Sequence, residues 1–306
     1  MLTCDDYLTP ATLGDAFDAM EKHRGAYRLI AGATDILPWA REGRAGDVHI
    51  PVLIDVASIP ELNVREVTRD TVRLGAATRF QRFLDDKTLA QTLPSMPFCA
   101  VWFADDQIRE SATIGGNLVN ASPAADGTPA LLAHDARVTL ASRKDGKIHL
   151  RTMPLSEFAI GPSKTMLGAD EILVEVACPA LPKHGGAFEK VGHRRSLVIS
   201  TVCVAALAEI DSSGDRFADV KLAVAGIGPV PRRMTAIEIA LTSKPLSASL
   251  LEEAAGAAGD LVASRTRQDY RRDVVRGFVL RALINAARRA GASEKLITRE
   301  LEAKYA

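Results

Sequence analysis

The chain has 306 residues, 47% apolar and 25% charged, with 38 basic and 38 acidic side chains and so no formal net charge. That length and composition fit two or three soluble globular domains, and the charge balance argues against a nucleic-acid protein, which carries a basic face. Asp5 and Asp6 stand where a signal peptide has its basic flank, and the longest apolar stretch, 198–210, is broken by Ser200 and Thr201 and falls short of the ~20 residues of a span, so a cytoplasmic protein with no membrane span is expected.

Taken in chain order, Thr12 caps a predicted helix over 12–24, with Asp15 three residues on and Leu13, Ala16, Phe17 and Met20 along one face. A strand at 27–31 runs into Gly32-Ala33-Thr34-Asp35, and Pro38 marks a helical turn beyond it. Strand, small-residue turn and helix in that order present amide donors to an anion. Strands follow at 52–56 and 71–75, then helices at 80–85 and 88–104. The segments 137–141 and 148–150 flank Lys144-Asp145-Gly146-Lys147, a hairpin signal, because Asp-Gly supplies the positive φ angles of a two-residue turn. A strand at 171–177 precedes the Pro- and Gly-rich stretch 179–186, the expected linker. Beyond it lie strands at 202–210 and 220–225, and Ala-rich helices at 235–242, 248–263, 268–290 and 293–304. The chain therefore divides near residue 180.

Four scattered cysteines (Cys4, Cys99, Cys178, Cys203) form no CxxC pair, and the six histidines show no metal-ligand spacing, so no metal site is expected on this chain. Ser122, His134 and Asp126 lack the nucleophile elbow of a hydrolase, and no catalytic acid, base or nucleophile is assigned.

The richest stretch is Ala112-Thr113-Ile114-Gly115-Gly116-Asn117-Leu118-Val119-Asn120-Ala121-Ser122-Pro123-Ala124-Ala125-Asp126. Paired glycines let another group approach the main chain, and the surrounding small polar residues suit a phosphate-bearing cofactor better than a core strand. Together with the Gly32 turn, each turn having a hydroxyl and an acid nearby (Thr34/Asp35 and Thr113/Asp126), it fits a diphosphate held between two loops. No Gly-Lys-Ser/Thr follows either turn and neither has G-x-G-x-x-G spacing, which excludes the P-loop and Rossmann modes.

The run Leu29-Ile30-Ala31-Gly32-Ala33-Thr34-Asp35-Ile36, with Gln107-Ile108-Arg109-Glu110-Ser111-Ala112 leading into Thr113-Ile114-Gly115-Gly116-Asn117, resembles the FAD-binding (medium) subunit of molybdenum hydroxylases, the xanthine dehydrogenase and aerobic CO dehydrogenase family. Weaker matches extend the likeness over nearly the whole chain: Gly161-Pro162, Asp170-Glu171-Ile172-Leu173, Phe188-Glu189-Lys190, Arg194-Arg195, and Arg265 with Tyr270-Arg271. The resemblance implies an α+β chain: a vanillyl-alcohol-oxidase/PCMH-type FAD-binding domain at 1–178, in two subdomains of about 1–57 and 58–178, then a smaller CO-dehydrogenase-flavoprotein C-terminal domain of antiparallel sheet and helices at 183–290, and a helical tail at 291–306. It implies that residues 29–36 and 113–117 hold the FAD diphosphate mainly through backbone amides, that Phe103 packs on the isoalloxazine, and that Asp126, Leu167 and Lys190 contact the flavin.

The same resemblance implies that this chain is the electron-transferring flavoprotein of a heterotrimer, assembled as a dimer of heterotrimers, with a large molybdopterin-binding subunit and a small [2Fe–2S] subunit as partners and a small molecule as electron acceptor. Two departures stand out. Ala33 replaces the glycine commonest at that turn, and Ser196-Leu197-Val198 replace acids that xanthine dehydrogenases carry after the Arg pair, which puts NAD in doubt as acceptor. The alternatives are a stand-alone FAD-dependent oxidoreductase of the same fold with its own substrate, and a scaffold that has lost its flavin.

Overall fold

Thr12 accepts from the Asp15 N–H while the Asp15 side chain accepts from the Thr12 N–H, a reciprocal cap that starts the helix Leu13–Lys22 as its sequence predicts. The computed structural model describes residues 1–41, 48–194, 196–263, 266–294 and 297. Helix Leu13–Lys22 buries Leu13, Ala16, Phe17 and Met20 against a three-stranded parallel sheet in which Val52–Asp55 lies between Asp6–Leu8 and Tyr27–Ile30. Parallel neighbours need a crossover, and this helix, lying between Asp6–Leu8 and Tyr27–Ile30 in the chain, is on that path.

A five-stranded antiparallel sheet follows, in the order Arg65–Val67, Thr71–Gly75, Glu171–Pro179, Arg137–Lys144, Lys147–Pro154. Its hairpin turns at Asp145 (φ 49°) and Gly146 (φ 71°), the paired positive angles that Asp-Gly favours. The helix expected over 88–104 is two helices, Lys87–Thr92 and Met96–Trp102. Pro94 pushes Leu93 out of helical geometry, to φ −124° and ψ 66°, and so breaks the run. The helix expected at 80–85 is Arg82–Asp85, preceded by a bridge between Arg79 and Thr113 and by tight turns in which the Arg82 and Phe83 N–H groups bond the Arg79 and Phe80 carbonyls (3.1 and 3.2 Å).

The third sheet is antiparallel, in the order Gly185–Val191, Val202–Ile210, Phe217–Ala225, Arg232–Arg233. Helices Thr235–Leu241, Ala248–Asp260 and Gln268–Arg289 cover one face. The other face, with Phe188, Cys203, Ala205, Leu207, Ala223 and Ala225, packs into the same core as Leu74, Phe80, Phe83, Ile114 and Leu131 from the first half of the chain. Covered on both faces, residues 202–208 are uniformly buried, which explains their unbroken apolar sequence.

The expected linker is therefore not free. The Ala180 N–H bonds the Asp70 carbonyl (3.0 Å) and the Leu181 N–H the Thr92 carbonyl (2.9 Å). A Cβ on Gly185 would lie 2.0 Å from the Ala286 carbonyl oxygen, and one on Gly186 2.2 Å from the Pro94 carbonyl, so this strand threads between the long helix and the 94–95 backbone. The helix expected at 293–304 and most of the 291–306 tail lie outside the described residues, as do Arg195 and Arg265.

Candidate functional site

Strand Tyr27–Ile30 delivers Ala31 and Gly32 to the C-terminal edge of the parallel sheet. A Cβ on Gly32 would sit 1.9 Å from the Ser111 carbonyl oxygen and 3.1 Å from the Ala112 Cα. Only glycine permits that approach, and it brings the two small-residue segments, 80 positions apart in sequence by their first glycine-flanking contacts (Gly32 to Ala112), against each other. Ala33 has φ 53°, a left-handed angle strained for alanine and easy for glycine, which accounts for the residue type commonest there. Helix Ile36–Arg41 starts immediately after the turn, and the Leu37 N–H reaches back to the Ala33 carbonyl (3.1 Å).

The two segments differ in what they offer. No acceptor among the described residues takes the N–H of Gly32, Ala33, Thr34, Asp35 or Ile36. In the second segment the Ile114 N–H bonds the Thr78 carbonyl (2.9 Å), Gly115 the Ala76 carbonyl (2.8 Å), Gly116 the Thr113 hydroxyl (3.1 Å) and Asn117 the Thr113 carbonyl (3.0 Å). The amides of 114–117 are thus committed within the protein, contrary to the expectation that they serve as donors alongside those of 29–36. What that segment presents is a capped helix start, Ile114–Asn120, and Gly116, whose missing Cβ would meet only the Thr113 hydroxyl, at 3.0 Å. Gly115 instead packs on Ala76: a Cβ there would lie 2.7 Å from the Ala76 Cβ and from its carbonyl oxygen. Asn117 Oδ1 is buried and receives no hydrogen bond, so a donor from a bound group would satisfy it. Free N–H groups on one loop, a close-approach glycine on the other and an orphaned acceptor fit a group rich in phosphate oxygens and hydroxyls. Burial also pushes the Asp35 carboxyl up.

At the other end, helix Met96–Trp102 stops at Phe103, whose ring stacks on the buried Phe80 at 3.9 Å between centroids and 11° between planes. Phe103 is half-buried, with one face taken. Arg109 is buried beneath it. Its Nη1 donates to the Phe103 carbonyl (3.1 Å), its Nε to Gln81 Oε1 (3.1 Å), and its Nη2 to Asp106, which fixes the 103–109 loop. Leu167 packs at the rim of the same core, with its N–H on the Thr165 hydroxyl (3.2 Å).

Asp126 and Lys190 meet directly. Lys190 Nζ donates to Asp126 Oδ2 at 2.5 Å and to the Trp102 carbonyl at 3.0 Å, and its side chain is only 3% exposed. Lys190, which the resemblance set against the flavin, is thus a buried cation reaching from the C-terminal sheet into the first domain. Burial pushes the Asp126 carboxyl up, while Lys190, Ser200 and Cys203 pull it back. Sequence reasoning missed Ser200, which donates to Asp126 Oδ1 at 2.5 Å, because nothing local marks a contact across 74 positions. His134 bonds Ser95 (3.1 Å) while the Ser122 hydroxyl accepts the Ala124 N–H (3.3 Å), so Ser122, His134 and Asp126 form no triad.

Residues 3–181 match the FAD binding domain in molybdopterin dehydrogenase, and residues 187–286 match the CO dehydrogenase flavoprotein C-terminal domain. The chain is 30% identical to a putative xanthine dehydrogenase FAD-binding subunit of Escherichia coli K12, over 93% of this chain and 97% of that protein. It is 26% identical to the carbon monoxide dehydrogenase medium chain of Hydrogenophaga pseudoflava, over 92% of this chain and 96% of that one. A solved carbon monoxide dehydrogenase from Hydrogenophaga pseudoflava superimposes with a TM-score of 0.85 at 27% identity, over 94% of this chain and 99% of its counterpart. Quinoline 2-oxidoreductase from Pseudomonas putida 86 shares the fold with a TM-score of 0.83 at 23% identity, over 93% of this chain and 97% of the other. The chain belongs to the FAD-binding subunits of the xanthine dehydrogenase and CO dehydrogenase flavoprotein family, with a PCMH-type FAD-binding domain followed by the family's C-terminal domain.

Proposed function

We propose that this chain is the FAD-carrying electron-transfer subunit of a molybdenum hydroxylase. In this reading a large molybdopterin-binding subunit oxidises the substrate, a small subunit relays electrons through [2Fe–2S] clusters, and this chain passes them to an external acceptor. Bound FAD supplies the redox chemistry, and the protein supplies binding, orientation and electrostatics. The observation that carries the reading is the row of free N–H groups at 32–36 pressed against the 111–112 backbone, in a chain of this family.

Residues 29–36 hold the diphosphate, chiefly through the N–H groups of Gly32, Ala33, Thr34, Asp35 and Ile36. Thr113, Gly116 and Asn117 close the second side, with Ile114 and Gly115 anchoring that segment in the core. Phe103, backed by Phe80, gives an aromatic wall for the ring, with Leu167 at the rim. Asp126, held by Lys190, places a fixed carboxylate beside it. After Arg194, Ser196 Oγ bonds the Ala104 carbonyl (3.1 Å) next to Phe103, and the segment Ser196-Leu197-Val198 carries no acid, which supports an acceptor other than NAD.

The test is to purify the chain and identify its chromophore. FAD rather than FMN should be released on denaturation, and a colourless chain that ignores added FAD would overturn the reading. Gly116→Ala disturbs only the Thr113 cap, so that variant should fold and bind FAD at least about tenfold more weakly, a difference of about 1.4 kcal/mol. Molybdenum and iron should co-purify with the chain when its partners are present, whereas turnover by the isolated chain would favour the stand-alone oxidoreductase.

A further inference from the structure

Both carboxylate oxygens of Asp126 are held by side chains from the C-terminal domain: Oδ2 by Lys190 and Oδ1 by Ser200, each at 2.5 Å. The site is closed, since Asp126 is 8% and Ser200 5% exposed. Ser200 is also fixed by its neighbours. The Thr201 N–H bonds the Val191 carbonyl (2.7 Å), and Val202 pairs with Val191 at the start of the strand. Its hydroxyl is therefore a donor already in place, held by the same strand pair that carries Lys190.

The groups around Asp126 come from three elements. Lys190 lies on strand Gly185–Val191, Cys203 on strand Val202–Ile210, and Cys99 on helix Met96–Trp102, where its thiol donates to the Asp126 carbonyl at 3.4 Å. Burial pushes both thiols well above their ordinary range, so neither competes as an anion. Of the groups that favour a charged Asp126, Lys190 is shared with the Trp102 carbonyl, whereas the Ser200 hydroxyl donates to Asp126.

We infer that Ser200 is a positioning residue that holds the Asp126 carboxylate ionised and fixed in orientation where the flavin meets it. The inference rests on the flavin reading of Asp126 only for its final consequence; the Ser200–Asp126 bond is a property of the chain itself. A hydrogen bond to a charged acceptor in a buried site is strong enough to move the carboxyl titration by about one to two pH units.

The experiment follows the Asp126 carboxyl carbon by NMR in the full-length chain labelled at aspartate, with Asp126→Asn identifying the signal. In Ser200→Ala the midpoint should rise by about one to two pH units, and Ser200→Thr should restore it. With FAD bound, the pH at which the flavin's midpoint potential changes slope should move by the same amount. Ser200→Cys, close in size and a weaker donor, should give a smaller shift in the same direction, so loss of fold in the alanine variant leaves the test standing. Superimposable Asp126 titrations in wild type and variants would overturn the inference. If the carboxyl shifts as expected but no form of the chain binds FAD, the flavin reading fails while the Ser200–Asp126 coupling stands.

Discussion

His134 is buried and touches Ser95 through Nε2, while its Nδ1 has no partner. Burial, reinforced by His184, Lys221 and Arg233, pushes its pKa down from 6.5 to about 3, with Asp135 opposing. The unfolded chain therefore takes up a proton below about pH 6.5 that the folded chain refuses until about pH 3. The stability His134 contributes is complete above pH 6.5 and is lost as pH falls toward 3, at up to about 1.4 kcal/mol per pH unit. Asp86, Glu171 and Asp219 are held below their ordinary values by Arg65, Arg151 and His184 respectively, so their contributions vanish at more acidic pH. Urea unfolding between pH 6.5 and 5 isolates the histidine: wild type should weaken with acid across that window, and His134→Gln should show a flatter dependence. Equal slopes would show that His134 is not the group responsible. At this scale the sequence was legible where chemistry is local. The Gly32 turn and the Thr12 cap are written in nearby residues, whereas the pairing of Asp126 with Lys190 and Ser200 spans 64 and 74 positions, and nothing local marks Ser200.

Elements were most readable where two neighbouring residues decide the geometry. Asp145-Gly146 specifies its hairpin, and the apolar spacing of Leu13, Ala16, Phe17 and Met20 specifies a helix face. The single helix read across 88–104 shows the opposite case: its apolar periodicity runs through Pro94, but the proline's steric effect on Leu93 ends one helix and begins another. The committed amides of 114–117 were not legible either, since their acceptors at Ala76 and Thr78 belong to a loop that reaches them only in three dimensions. Strand Gly185–Val191 depends on such contacts as well. A methyl group on Gly186 would stand 2.2 Å from the Pro94 carbonyl and 2.4 Å from the Ser95 nitrogen, both backbone and unable to rotate away. Gly186→Ala should therefore destabilise the chain by about 1–3 kcal/mol and lower FAD retention by shifting Lys190 on the same strand. Thermal unfolding and the flavin-to-protein ratio after gel filtration check the two effects, and a variant with wild-type values for both would refute the role given to this contact.

Across the whole molecule, the two family domains share a core and are joined by ion pairs, Lys190 with Asp126 and a second cluster around Asp135. Arg233 holds the buried Glu238 through Nε and Nη2 at 2.7 and 2.6 Å, and reaches the Leu132 carbonyl (3.2 Å) and Asp135 in the first domain, where Lys221 also binds (2.8 Å). Glu238 additionally accepts the Leu222 N–H at 2.7 Å. Arg233→Ala leaves that carboxylate buried without its cation, at a cost of about 3–5 kcal/mol, and adding Glu238→Gln should recover part of the loss. Calorimetry should show one transition for wild type, because a core common to both domains unfolds as a unit, and a lower midpoint for the single variant. Two separate transitions in wild type would contradict the shared core.

The strand that runs between the 94–95 backbone and the long helix also sets an order of events during synthesis. A nascent chain that ends near residue 181 has the unpaired N–H groups of 32–36, yet Asp126 still lacks Lys190 and Ser200, and the core still lacks Cys203, Ala205 and Leu207. Those partners arrive only with the segment after residue 181, and helix Gln268–Arg289 must dock before the other face of their sheet is covered. A chain that stops before them leaves Asp126 without either side-chain partner and the core face that Cys203, Ala205 and Leu207 cover open to solvent.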